Sequence, residues 1–187
     1  MNKFSSPSQK LRLAAASGAA LIVVGLIELH FYPKVVLSSF SSKPELPPLW
    51  LGIIGLTLYA CYMYGFAFIG RLFRKPWLEW SAYWVMVQAF ITAAISLLYP
   101  QMFRSLTGTG VVYGIINSAA VIIVGWSVMR MHKHFGPVGV WYGILAMLSG
   151  GGIALILLGT YADMADSMLA FALGSLLLYR QAQRRHG

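Results

Sequence analysis

With a single cysteine, Cys61, in 187 residues, the chain can hold neither an internal disulfide framework nor a thiolate metal site. Charge is nearly as scarce: Asp and Glu number five, and charged residues make up 10% of the chain. No lysine falls inside an apolar run, which excludes a retinal Schiff base. The four histidines are His30, His132, His134 and His186, and no two are placed to ligate a haem within a membrane. His132 and His134 flank Lys133 in a basic turn. Metal-ligand spacing, a nucleophile elbow and a phosphate loop are all missing. No cofactor and no metal site are therefore implied.

What is present in abundance is apolar length. At 58% hydrophobic the chain is far more apolar than a soluble domain of its size. Six apolar runs can be drawn, near 12–32, 48–70, 77–99, 110–131, 137–160 and 163–180. At about 1.5 Å per residue each matches a hydrocarbon core about 30 Å thick. The expected fold is all-α: one polytopic transmembrane domain over 1–187, with connections too short for a folded extramembrane domain. The first run is not read as a signal peptide. Its small residues, Ala14–Ala20, come at its start and not its end, and it is long for an h-region.

The basic residues give the topology. Lys3, Lys10 and Arg12, then Arg71, Arg74 and Lys75, then Arg130 and Lys133, then Arg180, Arg184 and Arg185 fall on one side of the six-span reading. The other side holds Lys34, Lys43 and Arg104 with Glu45, Asp163 and Asp166. Positive residues resist translocation, so both termini are expected in the cytoplasm, in a bacterial or archaeal cytoplasmic membrane. The net charge of +9 would suggest nucleic acid in a soluble protein. Gathered at inner helix ends, it points to anionic lipid headgroups instead, and nucleic acid is not expected.

Three pairs of strings match in the same order. Ser17–Gly25 resembles Asn117–Gly125, Trp50–Ile54 resembles Trp141–Leu145, and Ser96–Tyr99 resembles Ser175–Tyr179. Two successive three-helix units must enter a membrane in opposite senses, so halves 11–100 and 110–181 would form a 3+3 inverted repeat. Chance matching within a small apolar alphabet is the alternative. Punctuation is clearer. Lys43–Trp50 is a Pro-stiffened outer segment anchored by Trp50, and Arg71–Trp77 is a tight inner turn with Pro76 starting the third helix.

Ionisable and polar groups inside spans are the first candidates for function. Glu28 and His30 sit near the outer end of the first run, two positions apart and so on different faces. Asp163 and Asp166 sit three apart on one face at the outer entry of the sixth, where helix capping explains them better than a binding role does. Glu28 is the deepest acid, expected to be protonated, paired with Asn117 or Asp166, or open to a cavity. Gln88 and Asn117 lie near mid-membrane, as binding groups or as helix–helix hydrogen bonds. Tyr59, Tyr62, Tyr64, Tyr83 and Tyr113 add hydroxyls, which packing accounts for in most cases. Ser149–Gly152 places three glycines in mid-helix, where a break would expose backbone to a ligand. Gly139 and Gly143 read as a close-packing element. The candidate ligand-binding set is thus Glu28, His30, Gln88, Asn117, Tyr113, Gly150, Gly151 and Asp166.

Lys43-Pro44, Pro47–Trp50 and Leu58-Tyr59 locally resemble the tryptophan-rich sensory protein (translocator protein) family, over less than a fifth of the chain. That family's five spans and further tryptophan and asparagine signatures have no counterpart here, and no residue role is transferred. Three functions fit the sequence. The first is a small transporter, channel or membrane-embedded binding protein for a small molecule. The second is an accessory subunit of a larger complex, and the third an enzyme acting on a lipid or isoprenoid with Glu28, His30 and Asp166 as acid–base groups. The expected partners are the bilayer, a small-molecule or lipid ligand, and further copies or complex subunits. A binding protein should hold polar groups at one internal site, an enzyme should cluster carboxylates and histidine beside a cavity, and a subunit should have no cavity.

Overall fold

The computed structural model describes residues 6–31, 48–98, 108–155 and 160–184, apart from the side chains of 95–98, 108–114, 117, 151–155 and 160–166. Among the described residues there are seven helices and no strand. They are α1 (Pro7–Phe31), α2 (Leu49–Leu72), α3 (Pro76–Leu98), α4 (Gly108–Arg130), the one-turn α5 (His132–Phe135), α6 (Pro137–Leu155) and α7 (Thr160–Gln183). Each expected apolar run coincides with one long helix. The 32–47 connection lies outside the described residues.

Local chemistry sets the helix ends. α1 begins a turn before the apolar run because Ser6 and Gln9 form a capping box. The Ser6 amide donates to Gln9 Oε1 at 2.8 Å, and the Gln9 amide donates to Ser6 Oγ at 3.3 Å. Proline at the first position of α1, α3 and α6 has its φ preset for a helix and its missing N–H costs nothing there. α2 stops where Arg74 turns left-handed at φ 53°, and the Lys75 amide donates back to the Gly70 carbonyl at 2.7 Å. Gly136, at φ 63°, separates α5 from Pro137.

Neighbouring helices pack in chain order and α7 returns along α1, closing a ring α1–α2–α3–α4–α6–α7. Small residues set its tightest contacts. Gly65 of α2 lies against Ala14 of α1 and Leu178 of α7, while Gly70 meets the backbone of Glu79 on α3. Gly125 of α4 and Gly143 of α6 face each other so closely that a Cβ on either would lie within 2.7 Å of the other's carbonyl oxygen. Gly150 packs on Ser118 and Ile122 of α4. This corrects the reading of Ser149–Gly152 as a helix break. α6 runs unbroken through these residues, and at Gly150 the missing side chain admits the α4 backbone.

The basic helix ends gather at one end of the bundle. Lys10 sits over the Phe68 ring, Phe73 stacks on His134, and Arg184 donates to the His134 carbonyl at 2.7 Å. These contacts join the start of α1, the α2–α3 turn, α5 and the end of α7 into one basic end of the bundle. There Arg71 donates from Nε and Nη2 to Glu79 Oε1, at 3.0 and 2.8 Å, across the turn. Such an exposed pair contributes less than about 1 kcal/mol, so it orients the turn more than it stabilises it.

All six tryptophans are exposed, as are Leu13, Val23, Ile53, Ile54, Val87 and Leu148. Exposed apolar surface spread over every long helix is unlike a soluble monomer. Among the described residues two helices, α1 and α2, are long and apolar enough to cross a membrane, and shorter apolar stretches occupy Ser118–Arg130 and Pro137–Gly150. The chain is a helical bundle compatible with a membrane protein.

Candidate functional site

The core of the ring is aromatic where α2 meets α6 and α7. Tyr62 and Phe66 are one turn apart on the buried face of α2, and both are essentially inaccessible. Phe66 stacks on Tyr142 of α6 with centroids 4.9 Å apart and planes at 11°. Phe171 of α7 makes T-shaped contacts with two rings, Tyr62 at 5.3 Å and Tyr59 at 6.2 Å. Offset and edge-to-face pairs of this kind fix ring positions beyond what burial alone does. Gly174 leaves room for the Tyr62 hydroxyl, which donates to the Ala170 carbonyl at 3.3 Å and also reaches the Tyr142 hydroxyl.

These rings do not fill the centre. A cavity of about 240 Å³ remains at mid-bundle, walled by Tyr59, Tyr62 and Met63 of α2, Val121 and Val124 of α4, Tyr142, Ala146 and Ser149 of α6, and Ser167, Ala170 and Phe171 of α7. Helical spacing accounts for the wall: 142, 146 and 149 share one face of α6, and 167, 170, 171 and 174 share one face of α7. None of the described lining residues is charged. Tyr59, Tyr62, Tyr142, Ser149 and Ser167 are the hydroxyl-bearing residues among the described lining.

A second, more open groove of about 450 Å³ lies toward the end opposite the basic one. Glu28 of α1, Leu51, Gly52, Gly55, Leu56 and Tyr59 of α2, and Val85, Ala89, Thr92 and Ala93 of α3 line it. Tyr59 borders both spaces.

Of the residues singled out from the sequence, Glu28 lines this groove, whose other described walls are α2 and α3 and not the α4 and α7 expected to supply its partner. His30 is exposed and packs edge-on against Phe31, apart from Glu28. Gln88 is buried on α3. The side chains of Tyr113, Asn117, Gly151 and Asp166 lie outside the described residues, and α7 begins at Thr160, so Asp166 falls in its second turn. Among the described residues no three His, Cys, Asp or Glu side chains gather as a metal site.

Comparison with protein-family models, curated proteins and solved structures finds no match. The site must be read from its own geometry. Tyr142, Ser149 and Ser167 do not stand out as site residues in the sequence. The available signal is a run of hydroxyls and small residues on one face each of α6 and α7, which reads equally as packing until the helices are assembled.

Proposed function

We propose that this protein is a small six-span integral membrane transporter or channel, with both termini cytoplasmic, that carries a small molecule through its ring of helices. The observation that carries the reading is the mid-bundle cavity, lined by hydroxyl-bearing residues of three helices and sharing Tyr59 with a groove that holds Glu28. An accessory subunit has no need of such a space. A lipid-modifying enzyme would set carboxylates or histidines on the cavity wall, and its described lining has neither. Small ligand pockets are mostly apolar with a few placed polar groups, which describes this wall.

Support for six spans comes from the six long helices, the exposed apolar surface and the convergence of the basic segments at one end. Reporter fusions after residue 187 and within 32–47 are expected on opposite sides, the first cytoplasmic. Finding both on one side would sink the topology. A 3+3 inverted repeat of halves 11–100 and 110–181 is proposed for helix order alone. Gly143 abuts Gly125, yet Gly52, which the string match pairs with Gly143, has open space for 4 Å around the point where a Cβ would stand. The two halves do not share that contact, and the transport reading does not depend on it.

The direct test is uptake into proteoliposomes across a panel of small neutral, anionic and cationic solutes. Ser149→Phe, which fills the cavity from a half-buried position, is expected to lower the uptake of any transported solute by at least about tenfold, with the helix content unchanged. Undiminished uptake by this variant would remove the cavity from the pathway.

A further inference from the structure

The proposal above leaves the solute unspecified, but the chemistry of the two spaces narrows it. The cavity wall combines the π-systems of Tyr59, Tyr62, Tyr142 and Phe171 with hydroxyl oxygens that can accept hydrogen bonds. Aromatic faces carry the negative side of the ring quadrupole and attract cations. Among the described lining residues there is no Lys or Arg, so these residues offer an anion neither a counter-charge nor a guanidinium. The groove supplies what the cavity lacks. Glu28 is its one acid among the described lining residues, and nothing basic stands beside it there. Tyr59 lines both spaces.

We infer that the ligand is a small organic monocation, a quaternary ammonium or protonated amine, that meets Glu28 in the groove and passes Tyr59 into a cage formed by Tyr59, Tyr62, Tyr142 and Phe171. This rests on the transport reading for the direction of movement, although binding alone can be tested without it. The division of labour is physical. A carboxylate attracts a cation over several ångströms and begins to replace its hydration, while ring faces hold a weakly hydrated cation without binding it so tightly that it cannot leave. A hydroxyl-lined cavity of about 240 Å³ has room for a headgroup of this size but not for a lipid chain.

The experiment compares choline with its uncharged carbon isostere 3,3-dimethyl-1-butanol, by equilibrium binding to the purified protein and by flux in proteoliposomes. Choline is expected to bind at least about tenfold more tightly than the isostere. Tyr59→Phe, which keeps the ring, should weaken choline binding less than about threefold, whereas Tyr59→Leu, which removes it, should weaken it by about tenfold or more. Circular dichroism and monodispersity establish that both variants are folded. Equal binding of choline and isostere overturns the cation inference, and so does the absence of binding by either. Equal loss in the phenylalanine and leucine variants overturns the aromatic cage. Selective choline binding without flux leaves the inference standing and defeats the transport reading. Flux of neutral solutes with no preference for choline does the reverse.

Discussion

Gly143→Leu is expected to yield little or no monodisperse protein, and Gly143→Ala to lower thermal stability measurably. A Cβ on Gly143 would lie 2.6 Å from the Gly125 carbonyl oxygen and 2.7 Å from Met129 Cβ. One of these atoms is backbone and the other is fixed to it, so neither can rotate away. The helices must separate instead, and α4–α6 is among the most extensive contacts in the ring. Overpacking of this kind costs about 1–3 kcal/mol for small insertions and more where the backbone must shift. Gly52→Ala is the matched control. It meets nothing within 4 Å, so only helix propensity acts, which favours alanine by up to about 1 kcal/mol. Thermal unfolding in detergent should therefore move in opposite directions for the two alanine variants. A Gly143→Ala protein as stable as the parent would mean that α4 and α6 are not in backbone contact.

The helices are legible in the sequence because their determinants are local. Apolar length, Pro7, Pro76 and Pro137 at helix starts, and the basic turn at Arg71–Lys75 all act within a few residues of where they stand. The earlier start of α1 has a local cause too, since a capping box recruits polar residues that hydropathy leaves out. The three glycines at 150–152 are different. Glycine weakens an isolated helix, but at Gly150 the absent side chain is what lets α4 approach, and that compensation comes from another part of the chain.

The site is less legible for the same reason. Glu28 stands out because a carboxylate in an apolar run has no local explanation, and it does line a groove. Tyr59 and Tyr62 read as packing residues in the sequence. Both pack against Phe171, and both also border a cavity, so that reading is correct and incomplete. Tyr142, Ser149 and Ser167 come to line one cavity only when α6 and α7 are set against α2. The separation of His30 from Glu28 is legible because a two-residue spacing puts them on different faces, and the His30 ring packs against Phe31.

Glu28→Gln is expected to abolish uptake while leaving a folded, correctly inserted protein. Glu28 lies one turn from the end of α1, in a groove whose other described walls are apolar apart from Thr92 and the Tyr59 hydroxyl. A charged side chain at such a place is costly to maintain, and no cap or described ion pair at Glu28 offsets that cost. Glutamine keeps the shape and hydrogen-bonding capacity and removes the charge. Loss of one partner from a desolvated charge pair costs about 2–5 kcal/mol, so uptake of a cationic solute well below saturation should fall by on the order of a hundredfold. Stability should move the other way, because the neutral amide escapes the desolvation that a carboxylate suffers in the same groove. Glu28→Asp separates charge from reach: it keeps the carboxylate on a shorter stem and should retain partial uptake. Glu28→Gln with full uptake and a raised unfolding temperature would make Glu28 a structural residue and leave the groove without a role in recognition.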